Sequence, residues 1–106
     1  MPNESLLVLS TFPDAEAARR IARELVNEKF AACANILPAI ESIYRWQAKL
    51  EQSAEVLVLF KTAAQRYPEF EAKLKELHPY DVPEIIATPI TAGSQEYLRW
   101  VAESCA

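Results

Sequence analysis

Two short segments that are apolar at almost every position constrain the fold more than any other feature of this chain of 106 residues. The first is residues 6–9, inside a predicted strand at 5–11, and the second lies in a predicted strand at 54–62. Short runs of this kind are typical of strands that are buried on both faces, whereas strands with one solvated face alternate. These two strands are therefore predicted to be the central strands of a sheet.

The chain between them carries first a helical and then an alternating pattern. Asp14 is a predicted N-cap, and apolar residues recur behind it at helical spacing as far as Phe30. Residues 33–49 alternate between apolar and polar, which predicts a long amphipathic strand that Pro38 breaks or bulges. Residues 50–53 are predicted to turn this strand back into the strand at 54–62, which makes a hairpin.

The last third of the chain adds a helix, a strand and another helix. The second helix is predicted at Tyr67–Leu77, a short strand at 85–87 ends before Pro89, and Ser94 caps the third helix. The resulting order is βαββαβ plus a C-terminal helix, which is the ferredoxin-like arrangement of the α+β class. Its length predicts a single domain over residues 1–106.

The amphipathic second strand suits the edge of the sheet rather than its centre. Its far end carries Tyr44 and Trp46, and an edge strand with exposed aromatic residues favours pairing with another chain. The pattern therefore predicts a homo-oligomer with these two residues in the interface.

Charge and cysteine usage exclude several classes of partner. The net charge is -4 with dispersed basic residues, which does not favour binding to nucleic acid, and no apolar run is long enough to span a membrane. The N-terminal residues 1–4 lack the basic region of a signal peptide. Cys33 and Cys105 are far apart and form no CxxC pair, so both are predicted to be reduced thiols in a cytoplasmic protein.

Residues 78–84 concentrate the titratable chemistry of the chain around its single histidine, His78. Prolines at 79 and 83 stiffen this segment. His78 follows the second helix, where an imidazole can cap free carbonyl groups, act as a general base or bind a metal ion. One histidine and two remote thiols do not complete a zinc site within a monomer, so a copper or zinc site would have to be shared between subunits.

Three further polar residues are candidates for acid–base chemistry or for binding, and solvated surface charge is the alternative for each. Asp81 and Glu84 form a pair of carboxylates around Pro83, and Lys61 stands at the end of an apolar strand where it could hold an anionic ligand. No nucleophile–base arrangement, phosphate-binding glycine loop or HExxH motif is present, so the sequence disfavours an enzyme.

Four segments together resemble the CutA family of divalent-cation-tolerance proteins over nearly the whole chain. They are Ala-Cys-Ala-Asn-Ile-Leu-Pro at 32–38, Ser-Ile-Tyr-Arg-Trp at 42–46, Glu-Val-Leu and Phe-Lys-Thr within 55–62, and His-Pro-Tyr-Asp-Val-Pro-Glu-Ile-Ile at 78–86. The resemblance implies a ferredoxin-like fold and a tight homotrimer whose sheets pair through the extended second and third strands.

The resemblance also implies a role in tolerance of copper and other divalent cations. The corresponding hypothesis is a cytoplasmic trimer that binds Cu²⁺ or another divalent cation weakly through His78, assisted by Glu84. The family trimer resembles PII-type signalling proteins, so the alternative is a sensor or scaffold that holds a small anionic ligand between subunits near Lys61, Tyr80 and Glu84.

Some positions depart from the pattern of bacterial family members. The cysteine and the second histidine proposed there as copper ligands correspond to Ser10 and Leu77, so only His78 remains of that set. Two family glycines are Ala39 and Ala48 here, which affects backbone freedom rather than chemistry.

Overall fold

The structure, a computed structural model, describes residues 4–106. The prediction that the chain has no signal peptide rests on residues 1–4, and three of these four residues lie outside the described range. Four strands and three helices follow one another in the predicted order. They are β1 (Ser5–Phe12), α1 (Ala15–Asn27), β2 (Cys33–Trp46), β3 (Lys49–Ala63), α2 (Tyr67–Leu77), β4 (Ile86–Ile90) and α3 (Gln95–Ser104).

The four strands form one antiparallel sheet in the order β2-β3-β1-β4. The two apolar strands, β1 and β3, are central, and the amphipathic β2 is at an edge, as the sequence predicts. Phe12 pairs with Val56 and Ser5 with Ala63, so the two central strands are paired along the full length of β1.

One face of the sheet carries α1 and α2 over the main core. The helices and the sheet meet in a cluster of completely or almost completely buried residues, which are Val8, Phe12, Ala18, Ile21, Ala22, Leu25, Ala31, Val56, Val58, Phe60, Phe70 and Leu74. Because side chains alternate along a strand, their neighbours in sequence point to the opposite side, which we call the outer face. It presents Leu7, Leu9, Leu37, Leu57, Leu59 and Ile86.

The third helix packs at one end of the sheet. Val101 of α3 and Cys105, which follows the helix as its C-cap, are buried with Ala32 and Ala63. The rest of this helix is more open, and Tyr97 and Trp100 are exposed with their rings 5.5 Å apart. The outer face is therefore covered by its own chain only at the α3 end.

Local signals in the sequence place the helix ends correctly. Asp14 Oδ1 accepts a hydrogen bond from the Ala17 amide at 2.8 Å, and Ser94 Oγ accepts one from Tyr97 at 3.4 Å. Pro68 lies in the first turn of α2. The bulge predicted at Pro38 is present as a shift of register between Leu37 and Ile40.

Two strand boundaries differ from the prediction. The hairpin turns at Gln47 and Ala48, not at 50–53, so β3 begins at Lys49 and its polar first half continues the ladder. The last strand extends past residue 87 to Ile90, with Pro89 inside it opposite Leu6. This is possible because β4 is an edge strand, where a proline can leave its missing amide on the unpaired side.

Candidate functional site

The segment between α2 and β4 forms a fixed corner, because the end of the helix and the following proline determine its backbone. Pro79 disfavours helical geometry at His78, which is extended with φ -73° and ψ 137°. The His78 amide still donates to the Leu74 carbonyl at 2.9 Å, so the corner is attached to the last turn of α2.

Both ring nitrogens of His78 are hydrogen-bonded. Nε2 lies 2.9 Å from the Thr11 carbonyl oxygen, and Nδ1 accepts from the Tyr80 amide at 3.2 Å. A carbonyl only accepts and an amide only donates, so these partners fix the neutral tautomer with the proton on Nε2. The ring also stacks on Phe12 at 4.6 Å and is 8% exposed.

The surroundings of His78 disfavour its charged form. Burial lowers the pKa of His78 below its ordinary value of 6.5, although the Thr11 carbonyl and the Glu55 carboxylate act in the opposite direction. The imidazole is therefore neutral near pH 7, with its one lone pair on Nδ1.

A second polar contact ties the corner to the sheet. The Tyr80 hydroxyl donates to Glu55 Oε2 at 2.6 Å, and Glu55 is buried to 8% exposure on β3. Burial, followed by the hydrogen bond and charge of Glu55, raises the pKa of Tyr80, so the phenol remains a proton donor. Residues from β1, β3 and the corner thus meet in one network.

The structure brings only some of the predicted site residues together. His78 and Tyr80 are adjacent, with ring centroids 5.0 Å apart, whereas Asp81 and Glu84 are exposed on the same segment. Lys61 bonds Asn35 instead and lies six residues along β3 from Glu55, a distance of about 20 Å. Within one chain, Lys61 does not share a site with Tyr80 and Glu84.

The predicted interface residues lie at the far end of the hairpin. Tyr44 and Trp46 are 42% and 44% exposed, and the Tyr44 hydroxyl is 3.3 Å from Ser53 Oγ. The Tyr44 phenol is nevertheless near the corner, because its charge adds to burial and to Glu55 in raising the pKa of Tyr80. The role of Tyr44 and Trp46 in an interface stays a prediction.

Sequence reasoning missed two members of the network. Glu55 is a carboxylate within the apolar segment Ala-Glu-Val, a pattern that signals a buried, partnered charge. Thr11 contributes its backbone carbonyl, for which side-chain patterns give no signal.

A cleft of about 330 Å³ lies beside this network, between the start of α1, the bulge of β2 and β3. Asp14, Glu41 and Glu55 are among its lining residues. Residues 4–106 hold no group of three or more His, Cys, Asp or Glu side chains arranged to bind one metal ion. The nitrogen with metal-binding capacity in the corner is Nδ1 of His78, which here accepts from Tyr80.

Known proteins resemble the chain over almost its whole length. The family model described as CutA1 divalent ion tolerance protein matches residues 6–104. The divalent-cation tolerance protein CutA of Thermus thermophilus is 49% identical over 98 residues, which are 92% of this chain and 95% of that protein. The chloroplastic CutA of Arabidopsis thaliana is 43% identical over 94% of this chain, which spans 55% of that protein.

Solved structures agree with these matches. The Cut A1 structure from Thermus thermophilus has a TM-score of 0.93 at 47% identity, covering 96% of this chain and 99% of that one. The periplasmic divalent cation tolerance protein CutA from Archaeoglobus fulgidus has a TM-score of 0.92 at 35% identity and the same coverage. In the described part of the present chain, the helices are too short or too polar to cross a membrane.

Proposed function

The chain belongs to the CutA1 family of divalent ion tolerance proteins, and from this premise we propose that it binds Cu²⁺ weakly through His78 within a homotrimer. The tautomer of His78 supports this proposal. A metal-binding histidine usually donates its other ring N–H to a carbonyl or carboxylate, and Nε2 already does so with the Thr11 carbonyl. Nδ1 then offers the lone pair.

Binding at Nδ1 has a cost that explains why the affinity should be low. The ion displaces the Tyr80 amide from its 3.2 Å hydrogen bond, and the corner must open around a nearly buried ring. Glu84, exposed on the same segment, is the proposed second ligand. Water or a neighbouring subunit supplies the remaining positions, since imidazole and carboxylate alone do not complete a copper site.

Pulsed electron paramagnetic resonance on the Cu²⁺-loaded protein tests the ligand directly. Because the chain has one histidine, labelling it with ¹⁵N assigns any imidazole coupling to His78. We expect that coupling in the parent and weaker binding in Glu84→Gln, with Glu76→Gln on the surface of α2 as the matched control. Copper binding without imidazole coupling would overturn the assignment to His78.

The proposed homotrimer is supported by the surfaces that one chain leaves open. The outer face presents a row of leucines, and the hairpin extends Ile43, Trp46 and Leu50 into solvent at 64%, 44% and 72% exposure. Contiguous exposed apolar surface of this kind marks interaction sites. Light scattering should give three times the 12.0 kDa mass of one chain, and a monomeric mass would contradict the proposal.

A small anionic ligand between subunits is the second candidate. Lys61 favours it, because its ammonium group bonds the neutral amide of Asn35 and leaves its charge uncompensated. In a trimer, Tyr80 and Glu84 of another subunit would have to approach Lys61. A panel of nucleotides and organic acids should then raise the melting temperature of the parent but not of Lys61→Ala. No shift at millimolar ligand would reject this candidate.

We propose a binding role in the cytoplasm rather than catalysis. The titratable groups of the corner already have fixed hydrogen-bond partners, which supports a binding role. Cys33 and Cys105 are free thiols, which supports the cytoplasm as the compartment. Cell fractionation tests the compartment, which differs among relatives named as chloroplastic and periplasmic.

A further inference from the structure

A groove of about 580 Å³ runs between α1 and the outer edge of β2, on the part of β2 that precedes the bulge. Its floor is apolar, with Ala22 and Ala32 buried and Val26, Ala34 and Ile36 half-buried. Such a floor accepts an extended chain without requiring further polar partners.

Two arginines line the helix side of this groove. Arg19 and Arg23 are four residues apart, so they lie on the same side of α1. Neither forms a salt bridge with any residue in the described part of the chain, and no carboxylate lines the groove with them. Two unpaired guanidinium groups on a protein of net charge -4 form a local positive site that suits carboxylates.

The other side of the groove is an open strand edge. β2 is the outermost strand, and no strand of residues 4–106 pairs with its outer side. An extended peptide can add to such an edge through backbone hydrogen bonds. The bulge between Leu37 and Ile40 separates this stretch from the far end of β2, where Tyr44 and Trp46 lie.

The spacing of the two sides is compatible with a single ligand. Alternate residues of an extended peptide are about 6.7 Å apart and point to the same side. Arg19 and Arg23 are separated by about 6 Å along the helix axis. Acidic side chains at alternate positions of an added strand would therefore meet the two arginines in succession.

We propose that the groove binds an extended acidic peptide, which adds to the edge of β2 and places alternate acidic side chains against Arg19 and Arg23. The side chains between them would continue the apolar outer face of the sheet. This interaction is independent of copper and of His78, and it leaves the hairpin free for assembly.

Fluorescence anisotropy with a labelled peptide of alternating glutamate and valine tests the proposal. We expect saturable binding by the parent, and an affinity loss of about tenfold for Arg23→Glu, which replaces attraction by repulsion. Arg20→Glu is the matched control, because it makes the same charge change on α1 outside the groove. We expect it to bind within about twofold of the parent.

Two altered peptides separate the parts of the mechanism. Lysine in place of glutamate should abolish binding through the arginines, and N-methylation of both the glutamates and the valines should abolish it by removing every backbone donor that could face β2. Equal binding of the lysine peptide, or of the parent and Arg23→Glu, would overturn the proposal. A change of oligomeric mass in Arg23→Glu would also overturn it, because the groove would then be an interface between copies of the chain.

Discussion

At the scale of single residues, His78 connects three parts of the chain through one neutral ring. Its nitrogens hold the Thr11 carbonyl and the Tyr80 amide, and its face lies on Phe12. Protonation would turn Nδ1 from an acceptor into a donor facing the Tyr80 amide. The corner is therefore stable only while the ring is neutral.

This requirement predicts that the metal-free protein loses stability on mild acidification. Burial keeps the pKa of His78 lower in the folded than in the unfolded chain, so the unfolded state binds more protons as the pH falls below about 6.5. The contribution of neutral His78 to the free energy of unfolding is complete above about pH 6.5, and it is lost as the pH falls through the pKa of His78 in the folded chain. Urea unfolding at pH 7.5 and 5.5 measures how much free energy of unfolding is lost between the two pH values. A loss in the parent no larger than that in His78→Gln would contradict the prediction.

Ser10 is a buried hydroxyl that the fold does not use. It is 0% exposed on β1, and its Oγ has no hydrogen-bond partner among the described residues. We expect Ser10→Ala to raise the free energy of unfolding by about 1 kcal/mol, because it removes an unsatisfied polar group.

Thr62 is the matched control for this change. It is equally buried, but its hydroxyl donates to the Phe30 carbonyl at 2.7 Å, so Thr62→Val should lower the free energy of unfolding by about 1–2 kcal/mol. Denaturant titration compares the two. Destabilisation by Ser10→Ala would mean that Ser10 has a partner after all.

At the scale of elements, the hairpin turn shows where sequence patterns lose information. Gln47 and Ala48 have φ angles of 52° and 66°, a conformation that glycine adopts most easily, yet neither is glycine. The usual turn signal is absent, and the polar residues at 51–53 resemble a loop. Helix ends were predictable because Asp14 and Ser94 are local caps, whereas the turn depends on the pairing of two long strands.

Ala48→Gly should stabilise the hairpin. It relieves a left-handed alanine, which costs about 1 kcal/mol, although the greater freedom of glycine in the unfolded chain offsets part of the gain. We expect the free energy of unfolding to rise by up to about 1 kcal/mol. The same change at Ala39, which has no positive φ, should lower it, and equal effects at both sites would contradict this explanation.

At the scale of the whole molecule, one sheet has two different apolar faces. The sequence predicts both central strands from their apolar segments at 6–9 and 56–60. Helices α1 and α2 cover the face with Val8 and Phe60, whereas α3 covers only one end of the other face. Glu55 and the Thr11 carbonyl could not be placed in advance, because their contacts join strands to a distant corner. Local patterns specify elements, but such contacts arise only from packing.

The outer face should decide the state of assembly. Leu59→Glu places a charge among the leucines there without touching the main core, so we expect the proposed trimer to dissociate while the helical circular dichroism remains. Sedimentation measures the mass. The melting temperature of the parent should rise with protein concentration, whereas that of the variant should not. A trimeric Leu59→Glu would contradict this role.

The hydrogen bond between His78 and Thr11 also bears on the order of folding. It joins residues 67 positions apart, and closing so long a loop costs entropy before the contact forms. The hairpin of β2 and β3 and the packing of α1 on the sheet close shorter loops of the chain. We therefore expect the contacts of the corner to form late in folding. Removing it with His78→Gln should accelerate unfolding and leave the refolding rate nearly unchanged, so the histidine would determine how long the native state lasts rather than how fast it forms.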